Sequence, residues 1–265
     1  MDLELVGKRA LVSGSTQGIG YAVASALAAE GAAVVLHGRS RPRVEEAVAR
    51  LRDRWPEADV TGVAGDLAVP SEVEQLLDQV GPGGVDVLVN NAGLFEVKEF
   101  DLLTDEDWRL VHEVNVLGAV RLSRRLLPGM LSRGWGRVIC VSSESGVDVP
   151  ADMLPYGVSK AALLAFANGL AKLTRGTEVT VNSVLGGPTY SDGVAAAVRS
   201  VALQQGMPEE DLRTAIGQRR TTSLVQRFLE PAELASLVTY LASPLSSATN
   251  GAALRADGGV LTQVL

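Results

Sequence analysis

Short apolar runs alternate with longer segments of helical period along most of the chain, and that alternation limits what it can fold into. The runs are "KRALVS" (8–13), "AVVLHG" (33–38), "DVTGVAG" (59–65), "VDVLVN" (85–90), "RVICVSS" (137–143), "VTVNSVL" (179–185) and a short "GAALRA" (251–256). Each is brief and rich in β-branched residues, as strands buried on both faces must be. Helical patterns lie between them, roughly over 18–30, 42–54, 71–79, 104–131, 155–174 and 230–242. Strand-helix-strand units with right-handed crossovers put helices on both faces of a parallel sheet. The expectation is an α/β fold: a doubly wound parallel sheet of about seven strands, formed by 1–265 as a single domain. The segment 189–228 breaks the rhythm, being polar, without a clear strand and carrying a basic cluster at Arg219, Arg220 and Arg227. It reads as a loop or helical insertion over a substrate site.

Composition narrows the function. With 46% hydrophobic residues, 4% aromatics and 28 glycines in 265 positions, the core must be built from Val, Leu and Ala. A net charge of −7 gives no basis for holding a phosphate backbone, so nucleic acid is not an expected partner. The single cysteine, Cys140, sits in an apolar run and reads as a small buried hydrophobe. No basic segment followed by an apolar one opens the chain, and no run of 18 apolar residues occurs, so a cytoplasmic protein without a membrane partner is expected. His37 and His112 have no companions at metal-ligand spacing, and no metal is expected.

After the first strand comes "SGSTQGIG", with Gly14, Gly18 and Gly20 in the spacing G-x-x-x-G-x-G, and a helical run follows at once. Glycines there allow a tight turn and bring backbone N–H groups to a pyrophosphate at a helix N-terminus, where the dipole favours an anion. Ser15, Thr16 and Ile19 belong to the same loop. The end of the second strand decides between NAD and NADP, because an acid there bonds the ribose 2′-hydroxyl and an arginine accommodates a 2′-phosphate. That position reads Gly38, followed by Arg39, Ser40, Arg41 and Arg43. NADP(H) is therefore the expected cofactor, with NAD(H) the second choice; the bland alternative makes these arginines a solvated helix start. "GDL" places Asp66 and Leu67 beside the adenine, and "NNAG" brings Asn91, Ala92 and Gly93 to the carboxyl edge of the sheet, where ligands bind in such folds.

Further along, "CVSSESG" puts Ser143 at the end of the fifth strand, and "PYGVSK" puts Tyr156 and Lys160 four residues apart, on one helix face. Together with "SGSTQGIG", "NNAG" and Asn115 in "NVLG", this pattern resembles the short-chain dehydrogenase/reductase family, and within it the branch of the 3-oxoacyl carrier-protein reductases. The resemblance runs from "LVGKRALVSG" to "RADGG". It implies a Rossmann-type domain and NAD(P)-dependent hydride transfer between an alcohol and a carbonyl. It also implies that Tyr156 is the general acid or base, that Ser143 bonds the substrate oxygen, and that Lys160 holds the nicotinamide ribose and supports the phenolate. Asn115 would position a water. Without the family, Ser143 reads as a strand-end hydroxyl and Asn115 as a satisfied core amide.

A free tyrosine has a pKa of about 10, so lowering it by ~3 units requires ~4 kcal/mol of preferential phenolate stabilisation. An exposed ion pair supplies only ~0–1 kcal/mol. The Tyr156–Lys160 pair must then be partly desolvated and helped by a cationic nicotinamide, which argues for a closed cofactor-bound cleft.

Where many relatives carry Pro-Gly after the sixth strand, this chain reads "VLGGPTYSDG", with Gly186 in the proline's place and Gly187 retained. Glycine has more backbone freedom to lose, so a looser loop is expected, with Thr189 and Ser191 as cofactor contacts. Leu94, Phe95, Ser145, Val147 and Met153 would line a pocket for a small-molecule carbonyl or alcohol of small or medium, largely apolar character. The family implies a homo-oligomer, a tetramer ahead of a dimer. The alternative function is a nucleotide-sensing regulator on the same fold, which would be expected to lose the tyrosine or the lysine; a methyltransferase would leave Tyr156, Lys160 and "NNAG" without a task.

Overall fold

The computed structural model describes residues 2–264 apart from Pro82 and Arg220, and the side chain of Arg219 also lies outside the described part. The expected basic cluster is thus described only at Arg227.

Seven parallel strands form one sheet in the order β3-β2-β1-β4-β5-β6-β7. They are β1 (Arg9–Val12), β2 (Ala33–Gly38), β3 (Val60–Ala64), β4 (Val87–Asn90), β5 (Trp135–Ser143), β6 (Glu178–Gly186) and β7 (Ala253–Ala256). The chain runs outward from β1 to β3, then returns to lay β4 on the other side of β1. That reversal opens a crevice beyond the carboxyl ends of β1 and β4.

Neighbouring side chains of each strand point to opposite faces. Ala10, Val12, Val34 and Leu36 pack on one face with Val23 and Leu27 of α1 (Gly18–Ala29), Leu51 of α2 (Arg41–Arg54) and Val238 of α9 (Pro231–Ala242). Leu11, Val35, Leu88 and Val138 pack on the other, against α3 (Pro70–Val80), α5 (Gly118–Arg133) and α6 (Leu154–Ala171). Cys140 belongs to this second layer, and burial pushes its thiol up to about 12, as an inert core residue requires.

The run expected as one helix over 104–131 is divided. A capping box at Thr104 opens α4 (Asp105–His112), a π-helical segment occupies Glu113–Leu117, and α5 follows. Wider i→i+5 turns insert an extra residue and typically mark functional positions, and Asn115 lies in the middle of this one. α6 ends at Ala171, before a 3₁₀ turn over Lys172–Thr174. The irregular segment folds as α7 (Asp192–Gln205) and α8 (Glu209–Arg219), around a small core of Val198, Ala202 and Leu212. No described helix is long and apolar enough to cross a membrane.

Candidate active site

The loop after β1 is shaped by close approaches that only glycine permits. Gly14 has a φ of 62°, in the left-handed region, and a Cβ there would lie 2.8 Å from Ala92 Cα. A Cβ on Gly20 would lie 2.3 Å from the Gly14 carbonyl oxygen. The loop therefore folds against the start of α1, whose first turn has no side-chain cap on Gln17 and no acidic residue. Such a helix end offers N–H groups to an anion.

Neighbouring strand ends brace this loop. Ser13 Oγ accepts from the Asn91 and Ala92 N–H groups, and Asn91 Nδ2 donates to the Ser13 and Gly14 carbonyls. His37 Nδ1 accepts from Gly14 N–H, so Nε2 carries the proton and donates to the Gly65 carbonyl at 3.0 Å. Burial lowers the His37 pKa and keeps the ring neutral for this pairing. Ser15 is buried, donating to the Val12 carbonyl and accepting from His37 N–H, so it builds the loop without lining the cleft.

A cleft of about 880 Å³ opens over these strand ends. Gly14, Thr16, Gly18, Ile19 and Gly20 line it from the first loop, Asp66 and Leu67 from the third, and Asn91, Ala92 and Gly93 from the fourth. From the end of β2 and the start of α2 it takes Gly38, Arg39, Ser40 and Arg43; Arg41 is not part of the lining. Gly38 carries no acid at the position where one would select NAD, and a Cβ there would lie 2.6 Å from Thr16 Cγ2, so a larger residue would have to displace that side chain. These features fit a dinucleotide: a glycine cradle at the start of α1, whose Gly18 N–H is held by the Asp192 carboxylate, and two cations, Arg39 and Arg43, lining the cleft. One Asp66 carboxylate oxygen accepts from Ala68 N–H, which orients the group at the cleft.

At the far end of the cleft lie Ser143, Tyr156 and Lys160, carried by β5 and α6. Pro155 in the first turn starts α6 beside them. Lys160 is buried, its Nζ donating to the Val141 carbonyl at 2.8 Å and lying 5.6 Å from the Tyr156 ring centre. Desolvation pushes its ammonium down to about 8. Desolvation also pushes the Tyr156 phenol up to about 12, a rise opposed by the Ser143 hydroxyl and assisted by the Glu144 charge. Without a cofactor, then, Tyr156 is a protonated phenol across the neutral range.

Asn115 is buried under this group and does not line the cleft. Its Oδ1 accepts from Leu94 N–H, and its Nδ2 donates to the Leu94 carbonyl and to Ser159 Oγ. A Cβ on Gly93 would approach Lys160 Nζ at 3.3 Å and Asn115 Oδ1 at 3.8 Å, so these three residues share one corner.

The remaining wall comes from Leu94, Phe95, Ser145 and Met153, with Phe95 edge-on to Tyr156 at 6.0 Å. Val147 is half exposed beyond the turn that follows Ser143, outside the lining. Gly187, Thr189 and Ser191 face the cleft from the opposite side. Gly186 is not part of a loose loop: it closes β6, pairs with Ala256 and is packed so that a Cβ would meet Leu234 Cδ2 at 2.6 Å. The ladder thus supplies the constraint that a proline would supply elsewhere.

Several lining residues escaped the sequence reading: Gln17, Glu144, Val194 and Phe228. Asp192 also did; its carboxylate accepts from Gly18 N–H at 2.6 Å, joining the first turn of α7 to the glycine loop. Glu144 had a signal, being a lone acid within an otherwise apolar and hydroxyl-bearing strand end, "CVSSESG".

The family model described as short chain dehydrogenase matches residues 8–201. The uncharacterized oxidoreductase YvrD of Bacillus subtilis is 41% identical over 263 residues, covering 98% of this chain and 99% of that protein. The 3-oxoacyl-[acyl-carrier-protein] reductase FabG of Aquifex aeolicus is 31% identical, covering 98% of this chain and all of that one. Among solved structures, L-sorbose reductase of Gluconobacter frateurii, complexed with NADPH and L-sorbose, superposes with a TM-score of 0.94 at 33% identity over the full length of both chains.

Proposed function

The chain belongs to the short-chain dehydrogenase family and is an NAD(P)-dependent oxidoreductase acting between CH–OH and C=O groups; from that premise we propose that it prefers NADP(H) and uses Tyr156 as its acid and base. The observation that carries the cofactor reading is the β2 terminus, where Gly38 supplies no carboxylate and Arg39, Ser40 and Arg43 line the cleft. Arginine forks match a 2′-phosphate bidentately.

A nicotinamide bound in the cleft supplies the hydride in reduction and takes it in oxidation. The rest is the work of this chain. Ser143 donates its hydroxyl hydrogen to the carbonyl oxygen and holds it beside Tyr156. Tyr156, protonated at neutral pH, delivers its proton to that oxygen as the alcohol forms. In the oxidative direction the phenolate must form first, which in this buried site needs several kcal/mol of added positive charge. Lys160, whose Nζ donates to the Val141 carbonyl of β5, would supply part of it and hold the ribose. The Asn115 side chain is occupied by Leu94 and Ser159, so its contribution to a water-borne proton path would come through the main chain of the π segment.

The substrate is a small or medium carbonyl compound or secondary alcohol resting on the largely apolar wall of Leu94, Phe95, Met153, Val194 and Phe228. Thr189, Ser191, Val194 and Phe228 of the segment 189–228 would close over the substrate, with the whole chain acting as one domain. A homo-oligomer, a tetramer ahead of a dimer, accords with the exposed Leu110 of α4 and Val158 of α6; static light scattering giving a monomer mass would remove that expectation. No feature favours a nucleotide sensor, since both Tyr156 and Lys160 are present in the site.

The test is kcat/KM with NADPH and NADH across a panel of ketones. NADPH should win by tenfold or more, and Arg39→Ala should narrow the gap by about tenfold, the scale of a charge-assisted bond. A native preference for NADH would sink the cofactor assignment.

A further inference from the structure

Glu144 follows Ser143 directly, is 5% exposed and lines the cleft. Ser143 Oγ donates to its Oε2 at 2.5 Å, while Ser145 N–H donates to Ser143 Oγ at 3.1 Å. The hydroxyl hydrogen that must turn to a substrate carbonyl therefore points, in the free site, at a buried carboxylate.

Substrate binding forces an exchange. A hydroxyl has one hydrogen to give. When Ser143 turns it to the carbonyl oxygen, Glu144 Oε2 loses that donor, whatever else holds the carboxylate. A ketone with only carbon substituents returns nothing in its place. A ketone bearing a hydroxyl on the adjacent carbon does, because oxygens on adjacent carbons sit about one hydrogen-bond length apart, the same reach that separates Ser143 Oγ from Glu144 Oε2.

We infer that Glu144 is a substrate-binding residue that accepts the hydroxyl next to the reacting carbonyl, and that the enzyme selects α-hydroxy ketones and the matching vicinal diols. This deepens the proposed reductase reading and rests on it. It modifies the expectation of a largely apolar substrate at one point: the apolar wall holds the far part of the molecule, while Ser143, Glu144 and Ser145 present a polar face to the two carbons nearest the hydride. Sites that hydrogen-bond a substrate hydroxyl discriminate far more strongly than sites that only enclose a methyl group.

The test compares two ketones of nearly equal shape, 3-hydroxy-2-butanone and 3-methyl-2-butanone, as racemic or achiral substrates with saturating NADPH. Their kcat/KM ratio is measured for the native enzyme, Glu144→Gln and Glu144→Met. Comparing the ratio between proteins cancels the intrinsic reactivity of each ketone and any uniform loss of folded enzyme. The expected result is a ratio at least tenfold lower in Glu144→Met, through loss on the hydroxy ketone, with an intermediate fall in Glu144→Gln, whose amide oxygen still accepts. A ratio unchanged within twofold in Glu144→Met overturns the inference while leaving the reductase reading intact. Should Glu144→Met fail to fold, Glu144→Ala, which also has no acceptor, takes its place, and an unchanged ratio there overturns it equally. Native enzyme that reduces other ketones but not 3-hydroxy-2-butanone also overturns it, whereas absence of reduction across the whole ketone panel overturns the reductase reading itself.

Discussion

Along the rim formed by β1, β2, β3 and β4, each loop is tied to the next: His37 bridges Gly14 and Gly65, and Ser13 and Asn91 lock the fourth strand end to the first. The opposite side of the cleft, 187–229, is tied mostly to itself: Tyr190 N–H donates to the Leu229 carbonyl, Leu229 N–H to the Pro188 carbonyl and the Tyr190 hydroxyl to Glu209, while Leu224 and Val225 N–H reach the Gly258 carbonyl. Its helices share a core of Val198, Ala202 and Leu212, exposed ion pairs join Arg199 to Glu209 and Arg227 to Glu233, and Thr189 pairs with Leu229 at its base. Exposed pairs contribute ~0–1 kcal/mol each, and segments with few buried contacts are the ones that open locally. The contrast teaches a division of labour. One side is preformed to hold a dinucleotide; the other owes its place partly to a contact across the cleft, from Asp192 to Gly18.

The largest effect should come where the two sides meet the chemistry. Tyr156→Phe removes the proton donor without changing the shape of the wall, and kcat for ketone reduction should fall by about 10²–10⁴. NADPH affinity, read by fluorescence titration, should stay within threefold; retained activity would remove Tyr156 from its role. Next is the preformed rim. Gly20→Ala places a methyl group against the Gly14 carbonyl, and NADPH affinity should drop by about tenfold or more with circular dichroism unchanged. An unaffected affinity would show that the rim yields more than its packing indicates. The smallest effect belongs to the covering segment. Asp192→Ala should speed NADPH release about two- to fivefold in stopped flow, a partly exposed charge-assisted bond discounted for solvent, and should leave the Tyr156 step unchanged. Slower release would mean that Asp192 competes with the cofactor for Gly18.

The same contrast governs what could be read from the residues alone. The alternation of strands and helices, the glycine loop, "NNAG" and the Tyr156–Lys160 pair announce themselves because each depends on local spacing that backbone geometry imposes. His37 was indistinguishable from any core or surface histidine, since its role depends on the register that sets β2 beside β1 and β3. The π segment within 104–131 was hidden because apolar periodicity over a long helix does not register one inserted residue. Gly186 looked like a source of looseness until its place in the β6–β7 ladder was apparent. Around the substrate, legibility was poorest: Val147 was expected in the wall and lies outside it, and Asp192 and Phe228 reach the site only through the folding of a segment with no strong pattern.

At the centre of the account is the Tyr156 phenol, whose pKa burial raises to about 12 and, in the proposed function, a bound cofactor would bring down. Ultraviolet difference titration of the native protein against Tyr156→Phe isolates this tyrosine from Tyr21, Tyr190 and Tyr240, and can be run with and without NADP⁺. The account predicts no phenolate from Tyr156 below about pH 10 in the free protein, where burial raises the pKa to about 12, and ionisation at markedly lower pH once NADP⁺ is bound. Ionisation near neutral pH in the free protein, or a titration that NADP⁺ does not move, would contradict it.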